Sequence, residues 1–337
     1  MLHPWHRAVP HHDKTMIPRS ESRELKLDKP CQSIYGIIMY NSKLHMCAAA
    51  AVAGRCSVEE GYAVLKDMQD AGIQPSLFTF NKVMELVEGC ASFGRASIAE
   101  GEAVLTRMRA VGLSPDRETL TRLLGITAWS AFHGSASVDD GYWVFAQMSN
   151  MGIVPDSKAF EFLMRVIAGA ARHGGATGRD LDRVMDLAAG CKDGPRDVEW
   201  FSNGMELLVY LARCGRSTVE DGERLLERVQ AEGLQPPTKL YHGLMQAAVY
   251  ASNQEGGGSA VPEVERILDL VELNGEKPSY SMFGAAMAVM SREAARGRAS
   301  VSDAMRVMSK MEMAYGKSVW SRLGGGGGGE RALAASN

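Results

Sequence analysis

From Leu77 to Val87 the chain reads Leu-Phe-Thr-Phe-Asn-Lys-Val-Met-Glu-Leu-Val, with apolar residues at helical rather than alternating spacing. A Gly/Ser/Ala-rich turn is expected next, over Cys90–Ala96, and then a second amphipathic helix. Such second helices bury residues like Tyr62, Val64, Leu65 and Met68 and open on a recurring polar signal. Ser57 to Glu60, Ser97 to Glu100, Ser137 to Asp140, Thr218 to Asp221 and Ser300 to Asp303 all read Ser/Thr-x-x-Asp/Glu. The hydroxyl accepts a free N–H of the first turn, and the acid suits the positive end of the helix dipole. Each second helix should stop where a glycine such as Gly72 takes positive φ, with Pro75 barring continuation.

These paired helices recur. Pro75, Pro115, Pro155 and Pro195 stand 40 residues apart, and the first three close the phrase M-x-x-x-G-I/L-x-P, beginning at Met68, Met108 and Met148. A period of this size marks a stack of helix–turn–helix units rather than one globular core. The predicted fold is all-α: an α-solenoid of about seven units at 36–75, 76–115, 116–155, 156–195, 196–236, 237–278 and 279–319. In the fourth unit Ala189–Pro195 replaces the closing phrase, and in the sixth a flexible turn at Glu255–Ser259 separates the helices. The array is expected over 36–320, after a disordered leader with weak transit-peptide character at 1–35 and before a Gly-rich disordered tail at 321–337.

Composition narrows the function. Hydrophobic content of 45% fits a soluble protein with a proper core, and no apolar run is long enough for a membrane span. Six cysteines without C-x-x-C spacing fit a reduced protein. His3, His6, His11 and His12 lie in the leader, where no ordered frame fixes a metal geometry. The net charge of −3 argues mildly against strong non-specific nucleic-acid binding. Methionines at repeat positions read as core, and Phe80, Phe160, Trp200 and Tyr241 read as one buried seam in the first helices.

The closing phrase, followed by Ser76 or Asp116 and then by Thr79-Phe80-Asn81, resembles the pentatricopeptide repeat. The likeness runs from about residue 36 to 319 and is most specific in the first three units. Family repeats run to about 35 residues, so the extra length is expected in the turn between the helices. The resemblance implies a right-handed superhelix with single-stranded RNA along its concave face, one nucleotide per repeat. Two positions would do the reading: the sixth residue after each proline and the residue following the next proline. Asn41 with Ser76 would favour cytosine, Asn81 with Asp116 uracil, and Thr121 with Asp156 guanine, giving C-U-G from the 5′ end.

Beyond these, Glu161 with Arg196, Phe201 with Pro237, His242 with Ser279, and Gly284 alone match no base reader of the family. Ile38, Phe78 and Val198 fit the aliphatic place that sandwiches a base, whereas Glu118, Lys158, Lys239 and Ser281 do not. Lys43, Lys82, Arg122 and Arg165 are candidates for phosphate contact. No catalytic motif, cofactor site, metal site or small-molecule substrate is indicated. The expected role is an RNA-binding adaptor in a mitochondrion or chloroplast, supporting transcript processing, stability or translation. Its partners would be single-stranded RNA and proteins of an RNA-processing or ribosomal complex. The rival is a protein-binding scaffold or a structural subunit. RNA binding requires basic residues on the concave face, with Glu59, Glu60, Asp139 and Asp140 outside it; a scaffold allows a mixed or acidic groove.

Overall fold

The computed structural model describes residues 29–253 and 259–316, with side chains from residue 34 onward. Among the described residues every regular element is helical: α1 Lys29–Val52, α2 Val58–Asp70, α3 Leu77–Ser92, α4 Ile98–Ala110, α5 Arg117–Phe132, α6 Val138–Asn150, α7 Ser157–Arg172, α8 Gly178–Gly190, α9 Val198–Arg213, α10 Val219–Ala231, α11 Thr238–Ala251, α12 Val261–Leu273, α13 Tyr280–Ala295 and α14 Val301–Tyr315. They form seven consecutive pairs, the α-solenoid read from the period. Each odd-numbered helix packs on the next odd-numbered one, so the first helices make one layer and the second helices the other. No described helix is long and apolar enough to cross a membrane. The leader histidines, Cys31 and the glycine run lie outside the residues with described side chains, as do residues 254–258 of the expected flexible turn.

The predicted signals act where expected. Ser57, Ser97, Ser137, Thr218 and Ser300 each complete a reciprocal capping box with the acid three residues on. Gly72, Gly112 and Gly152 take φ of +73°, +78° and +66° at the ends of the second helices, where a side chain would be strained.

Three expectations need correction. Helix α1 begins at Lys29, so the last seven residues assigned to the leader, 29–35, are helical. Cys90, Ala91 and Ser92 belong to α3 rather than to a turn, and only residues 93–97 separate α3 from α4. Cys90 and Ala91 are fully buried, and burying that extra turn of helix stabilises it over a solvated loop. The third correction concerns register. Helix α8 ends at Gly190 with Cys191 in extended conformation, instead of the left-handed glycine ending of the earlier units. The connection gains a residue, and the residue capping α9 is Asp197, which accepts from the Trp200 N–H at 2.8 Å, not Arg196. The buried seam is therefore Phe80, Leu120, Phe160, Phe201 and Tyr241, all at most 4% exposed. Trp200 sits one residue earlier and meets Phe160 edge-on at 6.0 Å.

The second-helix layer is tied across units by side chains about one repeat apart. Arg107 lies 4.2 Å over Tyr62, and Arg183 lies 3.7 Å over Tyr142. Further along, Arg228 meets Asp186 at 2.6 Å, Arg266 meets Glu223 at 2.9 Å and Arg306 meets Glu265 at 2.9 Å. Such surface pairs contribute about 0–1 kcal/mol each, so their effect is on registry more than on stability.

Candidate nucleic-acid interface

Residues Asn41, Asn81 and Thr121 occupy the first-helix layer in one register, each facing the start of the next first helix. At the second junction the expected pair meets directly. The Asn81 amide donates to Asp116 Oδ1 at 3.3 Å and to Glu118 Oε2 at 3.4 Å. The Thr119 hydroxyl lies 2.6 Å from Asn81 Oδ1 and 2.7 Å from Asp116 Oδ1, donating to one at a time. Asp116 also caps α5 through the Thr119 N–H at 2.8 Å. Burial works to raise the Asp116 carboxyl, but the bonds from Thr119 and Asn81 outweigh it and hold the group below the usual carboxylate range.

At the first junction Asn41 and Ser76 are joined through a third residue. The Thr79 hydroxyl donates to Asn41 Oδ1 at 2.8 Å and lies 3.1 Å from Ser76 Oγ, while Ser76 caps α3. The third junction lacks this bridge, because Ala159 stands where Thr79 and Thr119 stand. Asp156 still caps α7, accepting from the Ala159 N–H at 2.9 Å, but Thr121 Oγ1 is buried with no hydrogen-bond partner among the described residues.

The register change alters the later pairs. Five residues beyond each capping residue lies the expected reader, so Asp197, not Arg196, faces Glu161, and Ser202, not Phe201, faces Pro237. Phe201 is core, whereas Ser202 is a buried polar residue donating to the Val198 carbonyl at 2.8 Å. Sequence reasoning missed Asp197 and Ser202; the available signal was an Asp two residues after Pro195, a good cap before Val-Glu-Trp. Arg196 instead donates to the Ala189 carbonyl at 2.8 Å. His242 and Ser279, not expected to act together, are 2.5 Å apart, with Ser281 Oγ 2.8 Å from the same ring nitrogen.

Beside this row lie Ile38 and Phe78, 56% and 55% exposed. The corresponding places further on hold Glu118, Lys158, Glu199, Lys239 and Ser281, so Val198 drops out of the set. An apolar surface flanks polar reading groups only over the first two units.

The charges on this layer are largely spent on one another in units two and three. Lys82 pairs with Glu85 at 2.7 Å, and Arg122 lies 3.4 Å from Glu85, 3.4 Å from Glu88 and 3.0 Å from Glu118. Burial raises the Glu88 carboxyl, only partly offset by Arg122; for Glu85 burial is outweighed by Lys82 and Arg122, and its carboxyl sits low. Gly125 makes room for this: a Cβ there would stand 2.5 Å from Glu88 Oε1. Two of the four phosphate candidates, Lys82 and Arg122, are thus neutralised within the fold. Helix α7 differs. Lys158, Arg165 and Arg172 repeat every seven residues, on one stripe, and none has an ion pair among the described residues. The acids Glu59, Glu60, Asp139 and Asp140 lie at the starts of second helices, with Glu60 and Asp140 engaged in capping boxes.

Residues 35–184 match the family model described as the pentacotripeptide-repeat region of PRORP. This stretch is an array of pentatricopeptide repeats. Among solved structures the array is similar to the pentatricopeptide repeat protein PPR10 from maize, at 21% identity and TM-score 0.49, covering 80% of this chain and 34% of that one. A structure of PPR10 in complex with an 18-nt psaJ RNA element matches at 15% identity and TM-score 0.41, covering 82% and 45%. The chain thus spans between a third and a half of the length of these structures. No curated protein matches it. The matched pentatricopeptide region contains all three expected reading pairs and the α7 stripe, and ends within α8.

Proposed function

We propose that the first-helix face of this array binds single-stranded RNA, with Asn41 and Ser76, Asn81 and Asp116, and Thr121 and Asp156 reading successive bases. The observation that carries this reading is the second junction. There an amide, held by a capping carboxylate and a threonine hydroxyl, stands beside the exposed ring of Phe78. A base laid on that ring would meet a fixed pattern of donors and acceptors, the arrangement used to read unstacked bases. The third pair keeps the register of the first two, with Thr121 5% exposed and its hydroxyl without a hydrogen-bond partner among the described residues. Lys158, Arg165 and Arg172 would take phosphates beyond the third base. The chain acts as an adaptor, shielding transcript segments in a mitochondrion or chloroplast and presenting them to processing or translation proteins.

A second reading, a protein-binding scaffold, is favoured by one observation: the self-neutralised network of Lys82, Glu85, Glu88, Glu118 and Arg122. A salt titration of affinity for a randomised RNA separates the two. Two or three phosphates neutralised on a single strand give a log–log slope of about −1.5 to −2, and sequences enriched by selection should contain a C-U-G related triplet. No retention of RNA, or a flat response to salt, would overturn the RNA reading and favour the scaffold.

A further inference from the structure

Helices α5, α7 and α9 enclose a cleft of about 380 Å³ on the first-helix layer. Its walls include Trp129, Phe132, Phe162 and Tyr210, with Arg165 and Arg172 at the edge. It lies about two helical turns, ~10 Å, C-terminal to the row of reading residues, so none of the six proposed readers lines it. The space comes from small side chains. Ala128 and Ala168 occupy the place that Glu88 fills in α3. Gly169 brings α7 onto α5 so closely that a Cβ there would stand 2.6 Å from the Phe132 nitrogen. The volume falls within the range typical of small-ligand sites, roughly 300–1,000 Å³.

The chemistry of the walls is specific. Trp129 and Phe132 meet edge-on at 5.9 Å, a rigid aromatic corner. Arg172 is held 4.1 Å over the Phe132 ring and Arg165 5.5 Å from the Phe162 ring centre. Neither guanidinium has a carboxylate partner among the described residues, so each keeps its N–H donors for an anion. On the α9 side an adjoining recess shares Arg165 and Tyr210 but carries Glu161, Glu199 and Glu206. Glu206 is already paired with Lys239 at 2.7 Å, which leaves Glu161 and Glu199 to repel an anion and accept from an amino group. Across the layer the aromatic corner lies on α5 and the two guanidiniums on α7, with Arg165 common to the cleft and the acidic recess. A nucleotide offers an aromatic base to the first and a phosphate to the second.

We propose that this cleft holds one nucleotide of a bound single-stranded RNA, its base against Trp129 and Phe132 and its phosphate at Arg165 and Arg172. The proposal rests on the RNA-binding reading above and adds to it a site that lies out of line with the row of reading pairs. It predicts a preference for RNA that continues past the third read base by at least one stacked nucleotide.

The test uses the full chain and two probes. In equilibrium dialysis adenosine 5′-monophosphate should bind, adenosine should bind at least several-fold more weakly, and the double variant R165A/R172A should weaken the monophosphate about tenfold. Both arginines are exposed, and a thermal melt of the double variant unchanged from wild type confirms that it folds. The N81A/D116A variant should leave monophosphate binding unaltered. In the second arm, an oligonucleotide carrying C-U-G and a purine-rich continuation is compared with one whose continuation is abasic. The abasic strand should bind about tenfold more weakly to wild type and no differently to R165A/R172A. Equal binding of both strands to wild type, with C-U-G dependence intact, would overturn the cleft and leave the reading pairs standing. Monophosphate binding by a chain that ignores every RNA would overturn the strand as the source, and with it the RNA reading. Binding of a phosphotyrosine peptide but not of the monophosphate would assign the cleft to a protein and overturn the proposal.

Discussion

Replacing Asp116 by alanine should cost more than replacing Asp156, although both cap a first helix. Asp156 does one thing: it accepts from the Ala159 N–H at 2.9 Å. Losing a cap of this kind costs about 1 kcal/mol. Asp116 caps α5 in the same way and also accepts from the Asn81 amide at 3.3 Å. Asn81 is 4% exposed, so its amide would be left with Glu118 alone. That adds about 1 kcal/mol, giving about 2 kcal/mol for D116A against about 1 for D156A. In a double-mutant cycle, N81A and D116A should show a coupling of about 1 kcal/mol and N81A with D156A none. Urea unfolding followed by far-ultraviolet circular dichroism measures this, provided the denaturant slope is unchanged, because stacked repeats can unfold in parts. Equal losses for the two aspartates, with no coupling at Asn81, would refute the inference that the junction is held across units.

The same site fixes a pH dependence. The folded Asp116 carboxyl lies below its ordinary value of about 3.9. Its ionised form therefore contributes stability that is complete above about pH 4 and is lost as the pH falls through the lower folded value. Asparagine caps about as well as aspartate and keeps an acceptor. D116N should cost only a few tenths of a kcal/mol at neutral pH and should flatten the acid limb of the stability curve relative to wild type. An unchanged acid limb would mean that other carboxylates set it.

Two further outcomes follow from the packing. Gly169→Ala places a Cβ against the backbone of Phe132 and Ala131, so it should cost about 1–3 kcal/mol, whereas Gly112→Ala, with φ +78° and open space around it, carries only the strain of a left-handed alanine, about 1 kcal/mol; denaturant midpoints of the two variants give the comparison. The register of α9 is checked by Phe201→Ala against Ser202→Ala: removing the buried ring should cost about 3–5 kcal/mol, the exchange of the serine less than about 1, and the reverse order would restore the alignment read from Pro195.

The repeating fold was legible because its causes are local. Ser57 with Glu60 and Ser97 with Glu100 announce helix starts, and Gly72 with Pro75 announces a stop, each within a few residues. The position of a repeat relative to its neighbours was less secure. Counting from Pro195 puts Phe201 at the reading place, and a slip of one residue turns a helix face by about 100°. That is enough to exchange a core ring for an inward-facing hydroxyl. The slip arises where α8 loses its left-handed glycine, so the missing stop signal at Ala189–Pro195 was the visible warning.

Charge was legible only in part: Lys82 with Glu85 and Arg122 with Glu118 are neighbours on one helix, whereas Arg122 with Glu85 and Glu88 joins successive units and leaves no local mark. The net charge of −3 argued mildly against strong non-specific nucleic-acid binding, and over units two and three the charges do neutralise one another, with Arg122 shared among three carboxylates. Yet pairing also concentrates what remains. With Lys82 and Arg122 consumed, the cations of α7, without an ion pair among the described residues, form the stripe proposed for phosphates, next to an aromatic cleft opened by Ala128, Ala168 and Gly169. An overall balance near zero is thus compatible with a locally anion-seeking surface. Where that surface lies depends on which glutamates the fold has already engaged.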